Sequence, residues 1–267
     1  MSTYYPKRAF EVFRERGLIS LIKKSSHFLK GSKTVIIILT YVLYARKYEA
    51  PIQPLNLIKV DPREIKEKRD TKRFKRQQIS SVEAGDWDEK TIKLDETKLY
   101  SSIITHFRDD VAWEETEFYN GIKKSINSVE GWCKWGCSSL SDFEERLNYI
   151  DQIHESMRNN GYKKQQELHS KRGILHTPEI NEVTVLIGRD GELIFHEGRH
   201  RLAIATALGI DEIPVRVLVR HKEWQEFRDD VYKNGLPEEH EELRDHPDLE
   251  GILDLFTSLS CSSEAET

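Results

Sequence analysis

Cysteine is scarce in this chain of 267 residues: only Cys133, Cys137 and Cys261 occur. With no cleavable secretory signal that carries a convincing small-residue site, a reducing cytoplasm is the expected compartment. Cys133 and Cys137 are spaced CxxxC, and zinc would need two more ligands. The nearby histidine is His106, with His154 and His169 farther along, so two ordinary half-buried thiols are the simpler reading. Long apolar runs are also missing. Val35 to Leu39 and Tyr41 to Leu43 fall short of the ~20 residues a bilayer-spanning helix needs. An excess of positive charge is missing too, since 46 acidic residues outnumber 41 basic ones. The molecule as a whole therefore offers no general attraction to nucleic acid, and DNA binding would need a local basic patch. A third of the residues are charged and the mean hydropathy is −0.63, which fits a soluble protein with one main domain and extensions.

The information is concentrated between Glu182 and His221. Val183 to Ile187 and Leu193 to Phe195 are β-branched or apolar runs flanking Asp190-Gly191, and this predicts a hairpin closed by a type I′ turn. Glu197-Gly198 breaks the strand. Leu202, Ala205 and Leu208 then recur at helical spacing until Gly209, which predicts a short helix with a left-handed C-cap and its core face on those three residues. Ile213 to Val219, with Pro214 near its start, reads as a further strand.

Arg199, His200 and Arg201 crowd into the first helical turn. Amide dipoles already make that end positive, so each cation costs about 0.3–1 kcal/mol unless something anionic sits there. Gly198 lets backbone approach a ligand, and first-turn N–H groups bind oxyanions. The pattern predicts a phosphate site in which Arg199 and Arg201 open to a cleft. A plainer alternative is that both arginines make structural salt bridges with carboxylates such as Glu192 or Glu197.

At Glu197 to Arg201 (EGRHR), followed by LAIATALGIDEIPV, the chain resembles the ParB/sulfiredoxin superfamily. Its members carry a glycine turn and basic helix start, written GERR in partition ParB proteins, GGCHR in sulfiredoxins and DGHHR in free-serine kinases. The acid-Gly-x-His-Arg order looks most like the kinase form. Arg199 stands where sulfiredoxin has its catalytic cysteine, so sulfiredoxin chemistry is not implied. Leu57 to Pro62 is similar to the family's first strand, and Glu145 to Gln165 to the helix and glycine preceding its second.

The resemblance implies an α+β fold, a small mixed sheet with helices. It spans residues 51–222 with an insertion at about 66–140, between a basic helical extension (1–50) and a helix with an acidic tail (223–267). It implies a nucleoside di- or triphosphate with Mg²⁺. Glu197, Gly198, Arg199, His200 and Arg201 would bind it, with Glu197 holding the metal. The expected activity is that of a Mg²⁺-dependent phosphotransferase or NTPase, with Glu64, its rival Asp61 and His200 as catalytic candidates. The alternative is a non-catalytic nucleotide- or DNA-binding adaptor of the partition type, or a ParB-like nuclease.

The flanks bear on partners. Lys7 to Lys30 alternates apolar and basic residues; through residues 7–45 it would attach peripherally to an anionic membrane face or a protein partner, or else pack on the main domain. The basic run Lys66 to Arg76 reads as a solvated linker or exposed helix face, with a phosphate contact as the functional alternative. Aromatics in GDWD, HFRDDVAWEETEFY and GWCKWGC are expected to seat the insertion on the core, or else to line an acceptor pocket. Lys222 to Phe256 offers one amphipathic helix (Trp224, Phe227, Val231) and then a strongly acidic stretch, which opposes phosphates and leaves DNA the less favoured partner.

Overall fold

The computed structural model describes residues 47–53, 56–70, 74–75, 80–128, 135–168 and 178–254; the expected N-terminal extension, Cys133 and the final tail lie outside these. The chain divides into two compact units, one made of Leu57–Ser170 and Pro178–Trp224, the other of Met1–Asn56, Lys171–Thr177 and Gln225–Thr267. No helix among the described residues is long and apolar enough to cross a membrane.

The first unit is an α+β layer built on one mixed sheet. Its strands are β1 (Leu57–Val60), β2 (Glu67–Arg69), β3 (Ser81–Glu83), β4 (Thr91–Lys93), β5 (Val183–Ile187), β6 (Leu193–Glu197) and β7 (Ile213–His221). They run in the order β1-β7-β5-β6-β2-β4, with β3 also paired to β7. β5 and β7 are parallel and buried at nearly every position; β5 reads as an almost continuous Val/Leu/Ile run, while β7 also buries Arg216, Arg220 and His221 among its valines and leucine. Pro214 has no N–H to give, and its register partner is Lys59 of the edge strand β1.

β5 and β6 form the expected hairpin, but the turn differs. Gly188 N–H donates to the Glu192 carbonyl at 3.1 Å, leaving Arg189-Asp190-Gly191 as a three-residue loop. Only Gly191 has positive φ (90°), whereas a type I′ turn needs it at Asp190 as well. Arg189 fixes the loop, donating through its backbone N–H and Nε to Asp88 Oδ2, each at 2.9 Å.

The stretch at 66–140 is part of this sheet. It supplies β2, β3 and β4, and then α1 (Lys98–Arg108) and α2 (Glu117–Ser128). Part of the expected linker at Lys66 to Arg76 is thus strand β2, with Arg69 half-buried and its guanidinium 5.2 Å from the Phe74 ring. Trp87 packs edge-on against Phe74 in a cluster with Leu186, Ile194 and Leu218, as the packing reading of these aromatics expects.

α3 (Leu140–Asn160) starts with a capping box. Ser139 Oγ accepts from Asp142 N–H while Asp142 Oδ2 accepts from Ser139 N–H, each at 3.1 Å. Gly161, at φ 70°, ends it. The short α4 (Gln165–Leu168) follows, and α5 (Arg199–Ala207) comes directly off β6. α5 closes in a Schellman motif: Gly209 (φ 64°) donates to the Thr206 carbonyl and Ile210 N–H to the Ala205 carbonyl. Leu202, Ala203, Ile204 and Ala205 are all fully buried, because α5 is covered by α1 and α3 as well as by β5. Leu208, expected in the core, is only half-buried at the helix end.

α6 (Lys222–Asn234) begins at the end of β7. In the second unit Arg228 is buried, with Nε 3.1 Å from Asp248 Oδ2, and Asp229 accepts from the Ala50 N–H at 3.0 Å.

Candidate functional site

The basic helix start forms one wall of a cavity of about 400 Å³. Gly198 sets its geometry. It occupies the left-handed region (φ 94°, ψ 28°) immediately before α5, and a Cβ there would stand 2.8 Å from the Val183 Cα. The strand-to-helix turn is therefore pressed against β5, which only glycine allows. Gly198 has no side chain to cap the helix, and the first-turn N–H groups carry the positive end of the helix dipole.

Gly198, Arg199, His200 and Arg201 all line this cavity. The opposite wall is α3. Phe143, Arg146, Leu147, Ile150 and Ile153 follow one another at helical spacing along a single face, with Tyr149 beside them. Leu99 of α1 and Phe118 of α2 close the side, and Trp135 stands next to Phe118 with ring centroids 5.7 Å apart. Trp135 is 42 % exposed and Tyr149 60 %, so two of the large apolar side chains most open to solvent gather at this one cavity. Of the aromatics in these stretches, Phe118 and Trp135 line the cavity.

The cations in the cavity are not equivalent. Arg201 is taken up structurally. Its Nη1 lies 2.7 Å from Glu182 Oε2, its Nη2 donates to the Lys163 carbonyl, and its guanidinium stacks 4.0 Å from the Tyr162 ring centroid. Tyr162 Oη also donates to Glu182, at 3.3 Å. The salt-bridge alternative is realised here, though with Glu182 rather than Glu192 or Glu197. Arg199 has no such partner among the described residues: its Nε is buried without an acceptor, and its guanidinium lies 6.0 Å from the Phe195 ring. Burial alone pulls its pKa below the usual arginine value, since no carboxylate offsets the desolvation. Arg146 likewise makes no ion pair with a described residue and faces the same space.

His200 lies with these two arginines. Burial first, then the charges of Arg146 and Arg199, push its imidazole down to about 4, so it is neutral near pH 7. No aspartate or glutamate is among the described lining residues.

The remaining candidates fall elsewhere. Asp61 and Glu64 are not in the lining. Asp61 caps the 3₁₀ turn Pro62–Glu64 and is gripped by Arg63, whose Nε donates to its Oδ1 at 2.7 Å and holds its carboxyl below the ordinary range. Glu64 is exposed. Glu197 is half-buried at the end of β6 opposite Thr184, outside the lining. Among the described residues no group of three His, Cys, Asp or Glu side chains could hold a metal ion. A protein-held Mg²⁺ needs one or two carboxylates near the phosphates, and this donor set does not fit one. Cys137 is a buried thiol whose Sγ lies 3.6 Å from the Asp142 carbonyl. His106 stacks on Trp113 at 4.1 Å.

Arg146 and Glu182 are absent from the motif-based set of candidates. Arg146 had a signal: it is a charge on the apolar stripe of α3, between Phe143 and Leu147.

Comparisons with protein-family models, curated proteins and solved structures return no match to this chain.

Proposed function

We propose that the protein is a ParB/sulfiredoxin-like nucleotide-binding protein whose ligand occupies the cavity between α3 and the start of α5. One observation carries this reading: two arginines without carboxylate partners among the described residues, Arg146 and Arg199, line one cavity with a helix start that has no side-chain N-cap, and the described lining has no acidic side chain. A desolvated, unneutralised cation is costly in the empty protein and is offset when an oxyanion arrives. The aromatic and aliphatic remainder of the cavity suits a flat apolar body, and its volume lies in the range of about 300–1,000 Å³ usual for small-molecule sites. Support for the fold assignment comes from the chain order of β1, a helix ending in glycine, the β5–β6 hairpin, the Gly198 turn, α5 and β7.

Phosphoryl transfer is a second reading, favoured by His200 as a titratable group beside the phosphate position. In this reading the imidazole, neutral in the empty cavity, would gain basicity once an anion lies next to it. Asp61 and Glu64 would not contribute from their present positions.

The test is thermal unfolding of the protein with nucleotides and with the parent nucleosides. A nucleotide at a hundred times its dissociation constant should stabilise by about 2.7 kcal/mol. Nucleosides that stabilise as much as nucleotides would sink the phosphate site.

A further inference from the structure

The charge in the cavity can be compared with the charge of its ligand. Arg201 is neutralised by Glu182 at 2.7 Å, and their side chains are 13 % and 0 % exposed, so this pair contributes little net field. His200 carries no charge near pH 7. What remains are the guanidiniums of Arg146 and Arg199 and the helix end, together about +2.5 when the helix terminus counts as roughly +0.5. A phosphate monoester carries about −1.5 to −2 near neutrality, and this complement meets it. A triphosphate carries further negative charge, which nucleotide sites usually offset with Mg²⁺ held partly by protein carboxylates. The described lining supplies none, and Glu197 lies outside it.

The apolar half of the cavity is matched to the other end of such a ligand. Phe118, Phe143 and Trp135 form a contiguous aromatic wall, with Phe118 5.5 Å from Phe143 and 5.7 Å from Trp135 between ring centroids. Trp135 and Tyr149 leave ring surface exposed at the same cavity, where a flat base can stack.

We infer that the ligand is a nucleoside monophosphate, bound without a divalent metal ion, its phosphate between Arg146, Arg199 and the α5 amides and its base against the aromatic wall. This rests on the phosphate-site reading above and narrows it.

The experiment is calorimetric titration of the full chain with AMP, CMP, GMP and UMP, the parent nucleosides, phenyl phosphate, and ATP, CTP and GTP. Each is run in chelator and again with excess Mg²⁺. At least one monophosphate should bind about tenfold or more tighter than its nucleoside and than phenyl phosphate, and no more weakly than its triphosphate, with an affinity that Mg²⁺ leaves unchanged. Arg146→Gln, at a half-buried position without an ion pair, should fold normally and weaken that binding about tenfold, the equivalent of about 1.4 kcal/mol. Tighter, Mg²⁺-dependent triphosphate binding would overturn the monophosphate assignment while leaving the phosphate site standing. Phenyl phosphate binding as tightly as any nucleotide would overturn the nucleoside assignment, and an unchanged affinity in Arg146→Gln would remove Arg146 from the site. Failure of every phosphate-bearing ligand to bind would overturn both readings.

Discussion

Arg201 Nη1 lies 2.7 Å from Glu182 Oε2, and the Glu182 side chain has no solvent exposure at all. An ion pair this deeply buried is costly to break from one side, because the surviving charge is left desolvated. Glu182 also accepts from the Gln165 N–H and from Tyr162, so the residue ties the start of β5 to the segment after α3. Arg201→Ala is expected to destabilise the fold by about 3–5 kcal/mol in denaturant titration. The same change made together with Glu182→Leu should recover part of the loss. A single mutant of wild-type stability would show that the pair is not formed.

Gly198 makes a second demand on stability. Alanine there would have to adopt φ 94° with its Cβ 2.8 Å from a backbone atom of Val183, and neither strand nor helix can shift cheaply. Left-handed backbone costs about 1–2 kcal/mol and overpacking about 1–3 kcal/mol, so Gly198→Ala should lose about 2–5 kcal/mol. The check is a lower denaturant midpoint with an unchanged m-value. A loss below about 0.5 kcal/mol would mean that the turn is looser than described.

Why some of this was legible in the sequence and some was not follows from distance along the chain. Helix α5 was legible because its start, its periodicity and Gly209 lie within eleven residues, and the Schellman bonds at Thr206 and Ala205 use the glycine as expected. The turn was misjudged because Asp-Gly suits both a two-residue and a three-residue loop, and the choice is made by Arg189 reaching Asp88, far away in sequence. β2, β3 and β4 have three residues each, too few for a period-two pattern to register, so the strands that this stretch adds to the sheet were not legible. The partner of Arg201 was invisible for the same reason as Asp88. Glu182 sits nineteen residues upstream, and only the packing of α5 beside β5 brings the two together.

Arg199 should behave oppositely to Arg201. Among the described residues its guanidinium has no carboxylate partner and its Nε is buried without an acceptor, so removing it relieves a desolvated charge. Arg199→Gln is expected to leave stability unchanged or slightly raised while weakening phosphate-ligand binding by about 1.5–3 kcal/mol, the usual worth of a hydrogen bond to a charged group. Paired melting and titration experiments separate the two effects. Unchanged affinity would place Arg199 outside the binding machinery.

His200 couples the cavity to pH. Its folded-state pKa, about 4, lies below the roughly 6.5 of an unfolded histidine, so between these values the unfolded chain binds more protons than the native one. Stability from this group is complete above about pH 6.5 and falls as pH drops towards 4, by a total of about 3 kcal/mol. His200→Asn should flatten that part of the stability profile measured by chemical denaturation. A bound phosphate next to the imidazole acts the other way, since an adjacent anion favours the protonated form and raises its pKa. Ligand binding should therefore take up a proton near pH 6, and binding enthalpies in two buffers of different ionisation heat would register it. That uptake should exceed what the ligand's own phosphate contributes, and His200→Asn should reduce it to the ligand's share. If the buffer dependence is the same in wild type and His200→Asn, the imidazole does not face the phosphate.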